Sequence, residues 1–132
     1  MASTDPLADM LAALHNASTA SLEAARLPDS RFKQSVLKAL QSEGFIKSFR
    51  ATGEGAKRVL EIHLAYGPKR EKLLTGLKRV SRPGRRVYVG VEELGTMLRR
   101  LEVPFVSTPQ GVFSGPQAFA RRSGGELLCL VW

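Results

Sequence analysis

A chain of 132 residues with 20 Lys and Arg against 12 Asp and Glu carries a formal net charge of +8 and a pI near 10.3. In so small a protein that balance suggests a polyanionic partner, most often nucleic acid. The 43% hydrophobic content supports a packed core. The length suits one domain, or two small ones sharing an interface. An aromatic content of 7% argues against a platform of stacked rings for single-stranded bases, and one cysteine excludes an internal disulfide or a cysteine-based metal site.

No apolar run approaches the roughly 18 residues of a membrane span, so no membrane partner is expected. The N-terminus lacks the charged and apolar regions of a secretory signal, and it is poor in arginine ahead of Arg26, unlike a transit peptide. The charge is unevenly spread. Residues 1–66 hold 8 basic and 7 acidic side chains, residues 67–100 hold 10 and 3, and residues 101–132 hold 2 and 2. Lys69 to Arg86 alone has eight basic residues against one acid, Glu71.

Asp5-Pro6 predicts a helix start, with Asp5 capping free amides and Pro6 at a position where its missing N–H costs nothing. Leu7, Met10, Leu11 and Leu14 follow at helical spacing on one face. Arg26-Leu27-Pro28 reads as a short extended stretch. Ser30 predicts the cap of a second helix with Phe32, Val36, Leu37 and Leu40 inward and Gly44 as its terminating glycine. A strand over 45–50, a turn at Thr52-Gly53-Glu54-Gly55 and a return strand then form a hairpin. In the return strand Leu60, Ile62, Leu64 and Tyr66 share the inner face and Glu61, His63 and Ala65 the outer.

Gly67-Pro68 marks a boundary. The expectation is an α+β protein of two small α+β domains packed together: an amino-terminal domain over 1–66, a basic linker over 67–76 and a carboxy-terminal RNA-binding domain over 77–132. In the last of these, Leu77–Val80 and Arg86–Val89 read as short strands around a Pro83-Gly84 turn. Val91–Leu101 reads as a helix with Leu94, Met97, Leu98 and Leu101 inward. Val103–Thr108 is a strand, Pro109-Gln110-Gly111 a tight turn into Val112-Phe113, and Ser114-Gly115-Pro116-Gln117 a capping box opening a short helix to Arg122. Gly124-Gly125 ends that helix before a last strand from Glu126 to Val131, where Cys129 reads as a buried small hydrophobe.

Nothing in the chain points to catalysis, a metal, a cofactor or a small-molecule substrate. His15 and His63 have no ligand or triad spacing, Asp5 and Asp9 fit the dipole at a helix start, and no Walker loop or dinucleotide fingerprint occurs. The basic turn is more informative. Lys78, Arg79, Arg82, Arg85 and Arg86 flank Pro-Gly, and a planar guanidinium can donate two hydrogen bonds to a phosphate. Tyr88 can stack or donate, while Ser107, Thr108 and Gly111 offer hydroxyls where a backbone must approach closely. Such groups suit RNA shape, 2′-hydroxyls and irregular base edges.

In chain order, Asp5-Pro6-Leu7-Ala8-Asp9-Met10-Leu11, Glu43-Gly44-Phe45-Ile46, Arg79-Val80-Ser81-Arg82-Pro83-Gly84 with Arg86-Val87-Tyr88, Val106-Ser107-Thr108 with Gly111, and Gly124-Gly125-Glu126 with Cys129 resemble the small-subunit ribosomal protein S-eight family. The resemblance spans nearly the whole chain. It implies two α+β domains, no catalytic activity, and direct binding to the central domain of small-subunit ribosomal RNA, among neighbouring small-subunit proteins, early in assembly. It also implies a ribosome in the bacterial cytoplasm or in an organelle. By the same resemblance Ser107, Thr108 and Gly111 form the central contact, Tyr88 and Glu126 lie near it, and Ser30 and Lys33 are amino-domain positions that can touch RNA. Three departures stand out, one being Phe113-Ser114-Gly115 in place of a Met-Thr-Asp run usual in the family after the loop. Ala13 and His15 replace helix arginines usual in the family, and Pro109-Gln110 replaces a serine and a basic residue. Arg85, Arg121 and Arg122 are candidates to compensate. A free-standing regulator of messenger or small RNA is the alternative.

Overall fold

The computed structural model describes residues 5–132; the first four residues of the expected amino-terminal domain lie outside the described residues. Helix α1, Pro6–Thr19, starts as its sequence predicts: Asp5 Oδ1 accepts from Ala8 N at 3.3 Å and Pro6 opens the first turn. Leu7, Met10, Leu11 and Leu14 are buried along its inner face. Strand β1, Ala24–Pro28, leads into α2, Arg31–Ser42, and Ser30 Oγ caps α2 by accepting from Lys33 N at 3.1 Å. Gly44, at φ +81°, takes the left-handed conformation that ends the helix.

Strands β2, Ile46–Thr52, and β3, Val59–Leu64, are joined through a 3-10 turn at Gly55–Lys57, longer than the expected tight turn. β3 is central in a three-stranded antiparallel sheet ordered β1-β3-β2. Its alternation holds: Leu60, Ile62 and Leu64 are buried, whereas Val59, Glu61 and His63 are partly exposed. Tyr66 lies beyond the strand and bridges to Lys72.

One position of α2 differs from the expectation. Phe32, expected inward, is 42% exposed, and Lys33 is 8% exposed. The buried stripe runs Lys33, Val36, Leu37, Leu40, an i, i+3, i+4, i+7 series in which Val36, Leu37 and Leu40 are as predicted and Lys33 takes the place expected of Phe32. Lys33 tolerates this because its stem lies in the apolar stripe while Nζ donates to Pro28 O at 3.0 Å.

The second sheet carries β4, Leu77–Arg79, β5, Tyr88–Val89, β6, Val103–Thr108, β7, Gly111–Ser114, and β8, Gly125–Val131. Its path is β4-β8-β6-β7, with β5 also paired to β8. The basic-segment strands therefore form two stretches of one interrupted edge along β8. β4 faces Cys129–Val131 and β5 faces Gly125 and Glu126. The chain between them loops outward. Helix α3 spans Val91–Met97 and α4 spans Gly115–Ala120, the latter opened by the predicted Ser114–Gln117 capping box. Leu101, expected on the buried face of a longer helix, is 82% exposed. After Met97 the backbone tightens into three-residue bonds, Arg99 N to Thr96 O and Arg100 N to Met97 O, and must then redirect into β6.

One core cluster joins both halves. Residues of α1, α2 and the first sheet pack with Phe105, Leu128, Cys129 and Val131, and the Phe45 and Phe105 rings meet edge-on at 6.3 Å. A smaller cluster of Val89, Leu94, Val106, Ala118 and Leu127 holds α3 and α4 to the second sheet. The segment over 67–76 is anchored rather than loose: Leu74 is 2% exposed, and Ser18 Oγ donates to its carbonyl at 2.7 Å.

Candidate nucleic-acid interface

Glu126, near the start of β8, is the hub of the site. It lies opposite Tyr88 of β5 on one side and Ser107 of β6 on the other, and Ser107 is opposite Val112 of β7. Directly opposed residues share a face of a sheet, so Tyr88, Glu126, Ser107 and Val112 make a transverse row. Tyr88 ends that row 68% exposed. The glycines before Glu126 permit the close pairing. A Cβ on Gly125 would lie 2.2 Å from Ser107 O, and one on Gly124 would lie 2.5 Å from Val89 O.

Two groups hold the Glu126 carboxylate. Buried Ser81 Oγ donates to Oε2, and Arg86 Nη1 donates to the same oxygen at 3.0 Å. Ser81 Oγ in turn accepts from Val87 N at 3.3 Å. Burial pushes the carboxyl up, but the hydrogen bonds from Ser81 and Arg86 and the charges of Arg86 and Arg79 outweigh it, leaving the group below the ordinary carboxylate value. Ser81 is a site residue that sequence reasoning passed over; a serine within a basic turn gives no local sign of a partner 45 residues away.

The predicted hydroxyl loop separates into two roles. Thr108 Oγ1 donates to Gly111 O at 2.9 Å and accepts from Gln110 N at 3.2 Å, so this hydroxyl holds the turn closed. Gly111, at φ +134°, supplies the conformation that closure needs. Ser107 is partly exposed and its hydroxyl makes no hydrogen bond among the described residues.

The basic residues also divide. Arg82 and Arg85 exchange backbone hydrogen bonds of 3.0 and 2.9 Å around Pro83-Gly84, and both are exposed. Gly84 at φ +84° behind Pro83 is the type II pattern. Lys78 is exposed on β4 opposite Leu130, further along β8 from the row. Arg86 keeps a 50% exposed side chain while bound to Glu126. Arg79 differs from the others. Its Nε donates to Asp5 Oδ2 at 3.1 Å, Nη2 to Asp5 Oδ1 at 3.3 Å and Nη1 to Leu128 O at 2.7 Å, with the side chain only 13% exposed. Its guanidinium ties the halves together and is not presented to solvent. Arg121 sits 4.3 Å from the centroid of the Phe113 ring.

Ser30, Lys33, Arg79, Arg86 and Glu126 converge on a cleft of about 430 Å³ between the amino-terminal ends of α1 and α2 and the basic turn. Phe32 and Pro83 also line it. The fold thus gathers five separated candidate residues at one cleft and joins them, through Glu126, to the Tyr88–Ser107 row. Away from this region, His63 Nε2 and Glu61 lie 2.9 Å apart, with Arg26 and Arg50 on the same carboxylate. Among the described residues no group of three His, Cys, Asp or Glu is placed to hold a metal ion, and no helix is long and apolar enough to cross a membrane.

A family model described as Ribosomal protein S8 matches residues 5–132. The small ribosomal subunit protein uS8 of Thermus aquaticus is 45% identical, over 98% of this chain and 99% of that protein. The protein of the same name from Caldicellulosiruptor bescii is 42% identical over 97% of each chain, and that from Caldanaerobacter subterraneus is 39% identical over the whole of both. With a family model matching residues 5–132 and relatives matched end to end, the chain belongs to the ribosomal protein S8 family.

Proposed function

We propose that this protein is a structural constituent of the small ribosomal subunit that binds the central domain of small-subunit ribosomal RNA and aids its assembly. The observation that carries the reading is the row of exposed Tyr88 with the partly exposed Glu126 and Ser107, flanked by Arg82 and Arg85, exposed and without an acidic partner among the described residues, on a Pro-Gly turn. The family and the names of its relatives support the ribosomal part.

Two kinds of contact divide the work. Lys78, Arg82, Arg85 and Arg86 supply phosphate contacts, which give affinity and salt dependence but no sequence information. Ser107 and Tyr88 meet an irregular groove or an unstacked base. Thr108 and Gly111 shape the loop that presents Ser107, and Glu126 orients Arg86 between the two sets. Arg79 acts from behind, as does the cap formed by Ser30 and Lys33. The halves 1–66 and 77–132 act as two walls of one surface, with 67–76 as the connection. The reading includes no catalytic activity and no small-molecule substrate. Neighbouring small-subunit proteins complete the site, and the bacterial relatives favour a ribosome in bacterial cytoplasm over an organelle.

A free-standing regulator of messenger or small RNA would use the same chemistry. Sedimentation of the native protein separates the two. The ribosomal reading expects comigration with small subunits that persists through a high-salt wash. Recovery of the protein only in light RNA-bound fractions would overturn it.

A further inference from the structure

The geometry points to the cleft between the halves as a second nucleotide subsite, in which a single unstacked base of the bound RNA lies against the ring of Phe32. The inference rests on the RNA-binding reading and assigns a role that no motif assigns. Phe32 is one of six phenylalanines, and at 42% exposure it is among the large apolar side chains left open to solvent. The first position of the buried stripe of α2 explains why. Lys33 occupies the buried stripe, and Phe32 is turned out of the core into the cleft, with Pro83 of the basic turn also on the lining.

The surroundings suit a nucleotide rather than an apolar peptide. Both acids of the cleft are already paired, Asp5 with Arg79 and Glu126 with Arg86. The exposed Arg31, next to Phe32 in the chain, and the exposed Arg82 and Arg85, on either side of the Pro83-Gly84 turn that lends Pro83 to the lining, have no acidic partner among the described residues. A flat base on the ring with its phosphate among these cations satisfies both features. At about 430 Å³ the cleft falls within the roughly 300–1,000 Å³ of small-ligand sites. It is also continuous with the row, because Glu126 belongs to both.

The test compares the wild type with F32A, F32L and F32W on a central-domain fragment of small-subunit ribosomal RNA, reading affinity and nucleotide-resolution chemical probing together. F32A is expected to bind about five- to tenfold more weakly, the low end of what loss of one base–aromatic stack produces. One unpaired nucleotide protected by the wild type should become reactive again, while protections dependent on Ser107 persist. F32L, which keeps apolar bulk without a π-face, should behave as F32A, and F32W should retain wild-type protection. Wild-type behaviour of F32A, or full rescue by F32L, would overturn the stacking subsite while leaving the RNA reading intact. Failure of the wild type itself to prefer the fragment would overturn the RNA reading and the subsite with it. A defect of F32A seen only on protein-containing subunits, and not on naked RNA, would assign the cleft to a protein and overturn the subsite.

Discussion

Replacing Arg79 with alanine should separate the two halves energetically while leaving the exposed basic turn in place. Arg79 and Asp5 are 74 positions apart, and their contact is bidentate: Nε to Oδ2 at 3.1 Å and Nη2 to Oδ1 at 3.3 Å, with a third bond to Leu128 O at 2.7 Å. The side chains are 13% and 21% exposed. Removing one partner of a fully buried pair costs about 3–5 kcal/mol, chiefly because the other charge is left buried. Residual solvent access at Asp5 lowers that figure, and we expect R79A to lose about 2–4 kcal/mol of unfolding free energy. D5N retains an oxygen able to cap α1 and isolates the charge, since Asp5 also accepts from Ala8 N. Urea denaturation followed by the fluorescence of Trp132, the single tryptophan, is the assay. A double-mutant cycle of R79A and D5N should return a coupling of about 1 kcal/mol or more. R82A, on the exposed turn, should stay within about 0.5 kcal/mol of wild type. If R79A were as mild as R82A, or the coupling fell below about 0.3 kcal/mol, the pair would not be the tie described.

Further outcomes follow from the same site. T108V should cost about 1 kcal/mol in the same denaturation assay, because it opens a turn closed by two hydrogen bonds, whereas S107A should leave stability unchanged and weaken the cognate RNA. G125A forces a Cβ to 2.2 Å from Ser107 O, so β6 and β8 must part and thermal unfolding should shift markedly downward; an unchanged melt would contradict that pairing. Glu126 titrates below its ordinary 4.5 in the folded protein, so as pH falls the unfolded chain takes up this proton first. Its stabilisation is complete above the ordinary value and is lost as pH drops through the folded one. The gap in urea midpoint between wild type and E126Q should therefore narrow in acid, and a pH-independent gap would refute the account. Cys129 is buried, and burial pushes its thiol up to about 12, so alkylation at mildly alkaline pH should require denaturant.

Elements whose boundaries are set by neighbouring residues were legible in the sequence. Asp5-Pro6, Ser30, Gly44 and the Ser114–Gln117 box each act within a few residues, and each operates in the structure as its chemistry predicts. β6 has its predicted bounds, Val103–Thr108, its C-terminal end set by the turn that Thr108 and Gly111 close. The errors came where two assignments were locally similar and only tertiary packing decides. Phe32 looks like the core residue and Lys33 like the surface one, yet the helix places the lysine stem on the stripe. Leu101 extends a plausible apolar face that the turn into β6 cuts short. For the site, the residue types were visible but their division of labour was not. Arg79 and Arg82 are alike in sequence, and only the approach of Asp5 from the other end of the chain makes one a tie and leaves the other free. Ser107 and Thr108 are likewise adjacent hydroxyls that the turn geometry separates into one presented and one committed.

The most direct test of the central claim is binding to a central-domain fragment of small-subunit ribosomal RNA, measured against an unrelated hairpin of equal length across a salt series. The account predicts a preference for the fragment that survives physiological salt and is lost in S107A. It also predicts that R82A lowers the log–log salt slope by roughly 0.7–0.9 on both RNAs. Equal affinity for the two RNAs, falling together as salt rises and indifferent to S107A, would contradict it.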